Sequence, residues 1–225
     1  MHNYIMVRVL VTVFCLQLLS GSVFAADTKD LGYYVKQMVA CRSAGNYKGG
    51  LANANKAVQL APQDSSLYNI RGYFKMKTGD TAGAIKDATE SIKFDSKNVG
   101  AYELRASVYL AQEKWTQAAK DGESMISLSP KESDGYYVRG SAKFGARDID
   151  GAVKDIRKAV SLDPGDPGSK DVADTLSMFL VARARQKATT GNMKEAIQDC
   201  EAAIGLNSKN TEAVKLKAKL KAGAK

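Results

Sequence analysis

Four arginines, Arg71, Arg105, Arg139 and Arg183, are each followed sixteen residues later by an aspartate: Asp87, Asp121, Asp155 and Asp199. A guanidinium meets a carboxylate through two parallel hydrogen bonds, and removing one member of such a pair strands a partly buried charge. One further position in the same register carries neutral Gln37 and Asn53, so the charge changes on both sides or on neither. That covariation points to structural pairs, as ion pairs or as an amide hydrogen bond, and against four separate ligand-binding arginines.

Other reactive residues are sparse. His2 is the one histidine, and it falls in a segment expected to be removed, which leaves no imidazole for a Ser/His or Cys/His nucleophile or for a usual zinc site. The acidic stretch "GARDIDG" lacks the ligand run and terminal glutamate of a calcium loop. The glycine clusters "GNYKGG" and "PGDPG" lack the phosphate-binding GxxxxGK[ST] pattern. Cys41 and Cys200 read as small core residues several structural units apart, too distant for an intramolecular disulfide, with Cys200 the candidate for a link between chains. The chain is therefore expected to be non-catalytic and to need no cofactor.

The elements that position these residues recur. Gly79, Glu113, Arg147 and Gly191 align as turns between helices, Gly45 lies one period earlier, and the spacing is 34 residues until a last interval of 44. Around each turn stand Tyr68, Gly72 and Ala84; Tyr102, Ala106 and Ala118; Tyr136, Gly140 and Ala152; with Tyr34, Met38 and Gly50 before them and Leu180, Ala184 and Ala196 after. Pro62, Pro130 and Pro164 close three copies, and Ser96 and Ser208 replace the proline in the other two. Large residues on one helical face with small residues opposite let antiparallel helices approach closely. This pattern resembles the tetratricopeptide (TPR) repeat family over roughly Leu31 to Asn210.

The resemblance implies an all-α, right-handed superhelical TPR solenoid of stacked antiparallel helix pairs. Its repeats are expected at about 31–64, 65–98, 99–132, 133–166 and 167–210, the last with a ten-residue insertion, and residues 211–225 form a capping helix. The insertion near 164–176 reads either as two more turns of helix or as a longer loop. In the cap, Val214, Ala218 and Leu220 are expected to cover the last repeat.

Residues 1–25 follow a different pattern. A short polar start with Arg8, an apolar run from Val9 to Leu19 and small residues Val23 and Ala25 read as a secretory signal peptide cleaved before Ala26, leaving a TPR domain over 26–225. The absence of an asparagine glycosylation sequon in 26–225 favours a bacterial periplasm. Composition is that of an ordinary soluble chain, 44% apolar and 25% charged, with a formal charge of +9. Losing Arg8 would leave +8.

In the family, the first helices line a groove that takes extended or helical polypeptide segments. Carried across, those roles fall on Val39, Arg42, Asn69, Tyr73, Met76, Lys77, Glu103, Ser107, Leu110, Tyr137, Ser141, Phe144 and Arg185. Tyr73, Met76, Tyr137 and Phe144 would serve as apolar anchors, and Arg42, Lys77 and Arg185 would meet a carboxylate. The carboxylate clamp of co-chaperone relatives is missing, because its places carry Asn69, Tyr73, Glu103 and Ser107. The expected partner is thus another protein, presenting a peptide or helical segment, in an envelope complex. The alternative is a basic surface that meets anionic lipid or cell-wall polymer, and self-association through terminal repeats is a third mode. Nucleic acid is not expected, since export and the pairing of arginine with aspartate both argue against it.

Overall fold

A computed structural model describes residues 30–223, so the expected signal peptide lies outside the described residues. Eleven helices are present among them and no strand. In chain order they are α1 (Leu31–Ser43), α2 (Tyr47–Leu60), α3 (Ser65–Lys77), α4 (Thr81–Phe94), α5 (Val99–Ala111) and α6 (Trp115–Leu128). There follow α7 (Asp134–Gly145), α8 (Ile149–Leu162), α9 (Pro167–Thr189), α10 (Met193–Leu206) and α11 (Thr211–Gly223). The chain divides into two compact units, up to Ala61 and from Pro62 onward.

Local chemistry sets the helix ends. The side chains of Asp30, Asn46, Asp64, Asp80, Asn98, Asp148 and Asp166 each accept a backbone N–H from the first turn of the helix that follows. Between the helices of each pair the chain passes through positive φ, at Gly45 (66°), Gly79 (91°), Glu113 (56°), Arg147 (67°) and Gly191 (82°). Two of these five turns therefore hold a side chain in the left-handed region that glycine prefers.

In the first unit, α1 and α2 form a helix pair whose buried residues include Tyr34, Met38, Gly50, Ala54 and Ala57. The second unit stacks α3 to α11, each helix packing on its neighbour in sequence. Small residues hold the helices close. A β-carbon on Gly72 would stand 2.7 Å from Leu104 Cδ2, and one on Gly140 would stand 2.8 Å from Ile156 Cδ1. Ala84, Ala106, Ala118, Ala152, Ala184 and Ala196 are completely buried. Tyrosine hydroxyls close the loops before three of the first helices, since those of Tyr68, Tyr102 and Tyr136 donate to the carbonyls of Pro62, Ser96 and Pro130 at 2.9, 3.2 and 3.2 Å.

The two copies without proline share a polar knot. Asn98 Nδ2 donates to Ser65 Oγ at 2.8 Å, and Asn210 Nδ2 donates to Ser177 Oγ at 2.8 Å, while both asparagines also cap the next helix. Serine and asparagine spaced 33 residues apart accompany the missing proline in both.

The ten-residue insertion is helical. α9 has 23 residues against 13 in α3 and α5, a difference of ten that accounts for the long last interval. Its added turns bury Ala173 and Leu176 in a core with Ile149, Ile156, Leu180 and Ala203. Although long, α9 is not apolar enough to cross a membrane. The cap differs in register from expectation: Ala213 and Leu220 are buried and Leu216 packs beside them, whereas Val214 and Ala218 are exposed. Asn210, which accepts from Ala213 N–H at 3.0 Å, fixes where the helix starts and hence which face turns inward.

Cys200 is completely buried and burial pushes its thiol pKa up, so a disulfide between chains through it is not compatible with this fold. Cys41 is free and half-buried. It lies 3.8 Å from Asn53 Nδ2, which also donates to the Gly49 carbonyl at 2.9 Å. The amide of the first copy thus bonds to its own helix and to Cys41, not to Gln37.

Candidate functional site

The arginine and aspartate columns meet in two-bond forks. Arg71 donates from Nε and Nη2 to Asp87 at 2.8 and 2.7 Å, Arg105 to Asp121 at 3.0 and 2.7 Å, Arg139 to Asp155 at 2.8 and 2.7 Å, and Arg183 to Asp199 at 2.8 and 2.7 Å. The four carboxylates are buried and the arginines are about one-fifth exposed. Burial pushes the Asp155 carboxyl up, but the hydrogen bonds from Arg139 and Lys143 outweigh it and hold the group below its ordinary range. The Arg183 guanidinium is held further into its charged form, first by the bond to Asp199 and then, against desolvation, by the bond to Asp150.

A second cation joins three of the four forks. Lys75 reaches Asp87 at 2.9 Å, Lys143 reaches Asp155 at 2.8 Å and Lys187 reaches Asp199 at 3.1 Å. Each lysine lies one helical turn after its arginine, where Tyr109 stands in the α5 copy. Sequence reasoning missed these lysines, though their four-residue offset was readable. Arg105 compensates differently, donating from Nη1 to Thr89 Oγ1 of the preceding repeat at 3.1 Å.

The groove residues divide between the two units. Val39 and Arg42 lie on α1 of the first unit, both exposed. In the second unit, α3 presents half-buried Asn69, Tyr73 and Met76 and exposed Lys77, and α5 presents exposed Glu103 and Ser107 with half-buried Leu110. Lys77 Nζ sits 5.7 Å from the Tyr73 ring centroid, which gives this stretch a cation over an aromatic face. On α7, Ser141 Oγ is buried without a hydrogen-bond partner.

The remaining groove residues are engaged by α9 and α11. Phe144 meets Phe179 edge to face with ring centroids 6.2 Å apart, and the Tyr137 ring lies against Gly168 at the start of α9. Both aromatics pack on the core that α9 completes. Arg185 pairs with Glu212 of the cap. These three residues do internal packing or pairing within α7, α9 and α11.

Residues 133–166 and 182–210 match the family model described as tetratricopeptide repeat. No curated protein matches the sequence. Among solved structures, a MamA segment from Desulfovibrio magneticus is 17% identical with a TM-score of 0.62, covering 82% of this chain and 99% of that one. A thermophilic TPR protein of Thermus thermophilus is 16% identical with a TM-score of 0.57, covering 85% and 98%. The first TPR of Spaghetti (RPAP3), solved with an HSP90 peptide bound, is 24% identical with a TM-score of 0.50, covering 52% and 94%. At these identities the likeness is one of fold, an all-α solenoid of TPR helix pairs.

Proposed function

We propose that this TPR-type solenoid is an exported, non-catalytic scaffold that holds a polypeptide segment of another protein within a periplasmic envelope complex. One observation carries the reading. Asn69, Tyr73, Met76, Glu103, Ser107 and Leu110 keep one register on α3 and α5, on the side of each helix away from the arginine of its Arg–Asp fork. The RPAP3 structure, with a peptide of HSP90 bound, is a precedent for peptide binding by such a fold, although the carboxylate clamp residues are different here.

The test is crosslinking to an envelope extract of the host, comparing the native protein with a Tyr73→Ala/Ser107→Arg variant of unchanged helicity. The variant is expected to lose one discrete protein partner. Capture that persists in the variant but disappears with salt would overturn the groove and move the function to the basic surface, because screening removes long-range charge attraction more than apolar contact.

A further inference from the structure

Beside the α7–α8 hairpin lies a cleft of about 700 Å³. It is separate from the first-helix face: Tyr136 and Arg139, which line it, lie on a different face of α7 from Ser141 and Phe144. Its charges do not cancel. Asp155 is held by Arg139 and Lys143, and Asp150 accepts from Arg183 at 2.8 Å, so the two acids of the lining are already matched. That leaves Lys154, Arg157 and Lys158. Arg157 donates to the neutral carbonyl of Ala202 at 3.2 Å, and among the described residues Lys154 and Lys158 form no ion pair.

These three cations occupy adjacent positions on one side of α8, at spacings of three and four, where like charges repel one another. Below them, the cleft is lined by the buried Val153 and the half-buried Tyr136. A cluster of unmatched positive charge over an apolar floor fits a ligand that brings carboxylates and an apolar side chain together.

We propose that this cleft docks an acidic segment of a partner protein, with its carboxylates on Lys154, Arg157 and Lys158 and an apolar side chain against Val153 and Tyr136. The proposal does not depend on the first-helix groove. A cleft that binds acidic protein would give the solenoid a second attachment point, on a surface that stays intact in the Tyr73→Ala/Ser107→Arg variant.

The probe is a fluorescein-labelled peptide, acetyl-Glu-Leu-Glu-Glu-Leu-Glu-amide, titrated with the full protein and followed by anisotropy. Lys154→Glu/Lys158→Glu is expected to weaken binding about tenfold or more, the effect of losing two charge contacts. Lys215→Glu/Lys219→Glu, with the same change in net charge on α11, should leave it within about twofold. Replacing both leucines of the peptide by glycine should also weaken binding to the unaltered protein. Equal losses in the two variants, indifference to the leucines, or no binding by the unaltered protein would each overturn the proposal. So would a Lys154→Glu/Lys158→Glu variant that keeps the peptide and loses only phosphatidylglycerol vesicles, which would make the cleft a lipid-facing surface.

Discussion

At the scale of single residues, the four forks are not equivalent. Asp121 has Arg105 alone, while Asp87, Asp155 and Asp199 each have an arginine and a lysine. Breaking a buried pair by removing one partner costs about 3–5 kcal/mol. Arg105→Ala is therefore expected to lose that much in urea unfolding, and Arg139→Ala less, because Lys143 still compensates Asp155. Equal losses would mean that the lysines contribute nothing. Asp155 also gives the fold a pH dependence. Its folded pKa lies below the unfolded value, so its contribution is complete above about pH 4 and declines as pH falls through the folded value. Asp155→Asn should flatten the acid side of the stability profile below about pH 4. An unchanged slope would assign that dependence to other carboxylates. The joint change from Arg and Asp to Gln and Asn showed in the sequence that the two columns belong together. It did not show where the first copy's amide would point, because Asn53 has a nearby carbonyl at Gly49 that a shared column cannot reveal.

At the scale of elements, the period was readable and the contacts across it were less so. An interval of 44 in place of 34 left helix and loop both open, and only the burial of Ala173 and Leu176 shows why helix wins: the added turns have a core to cover. The long helix also engages Tyr137, through its added turns at Gly168, and Phe144, through Phe179, although by register alone both looked like groove anchors. The cap misled for a similar reason, since its lysines and alanines suit several helical faces and one asparagine selects between them. The turns offer a direct test. Glu113 and Arg147 occupy a left-handed conformation that costs a side chain roughly 1–2 kcal/mol relative to glycine. Glu113→Gly and Arg147→Gly are each expected to raise the thermal midpoint, offset in part by the greater freedom of glycine in the unfolded chain. A lower midpoint would show that the side chains contribute contacts exceeding the backbone strain.

At the scale of the whole molecule, the sequence carried the solenoid class because the same packing solution is written several times, and repetition separates signal from coincidence. It did not carry the α7–α8 cleft, which depends on which cations find partners and which do not, a property of three-dimensional neighbours. The spacing of the bonds along the chain has a further consequence. Tyrosine hydroxyls reach back 6 residues, the Arg–Asp forks span 16, and the contact of Arg157 with Ala202 spans 45. Contacts this local favour fast folding, and a stack in which each repeat needs only its neighbours can grow from any starting point. A chain emerging N-terminus first from a ribosome or a translocon can therefore consolidate each repeat behind the exit while the next is still unmade.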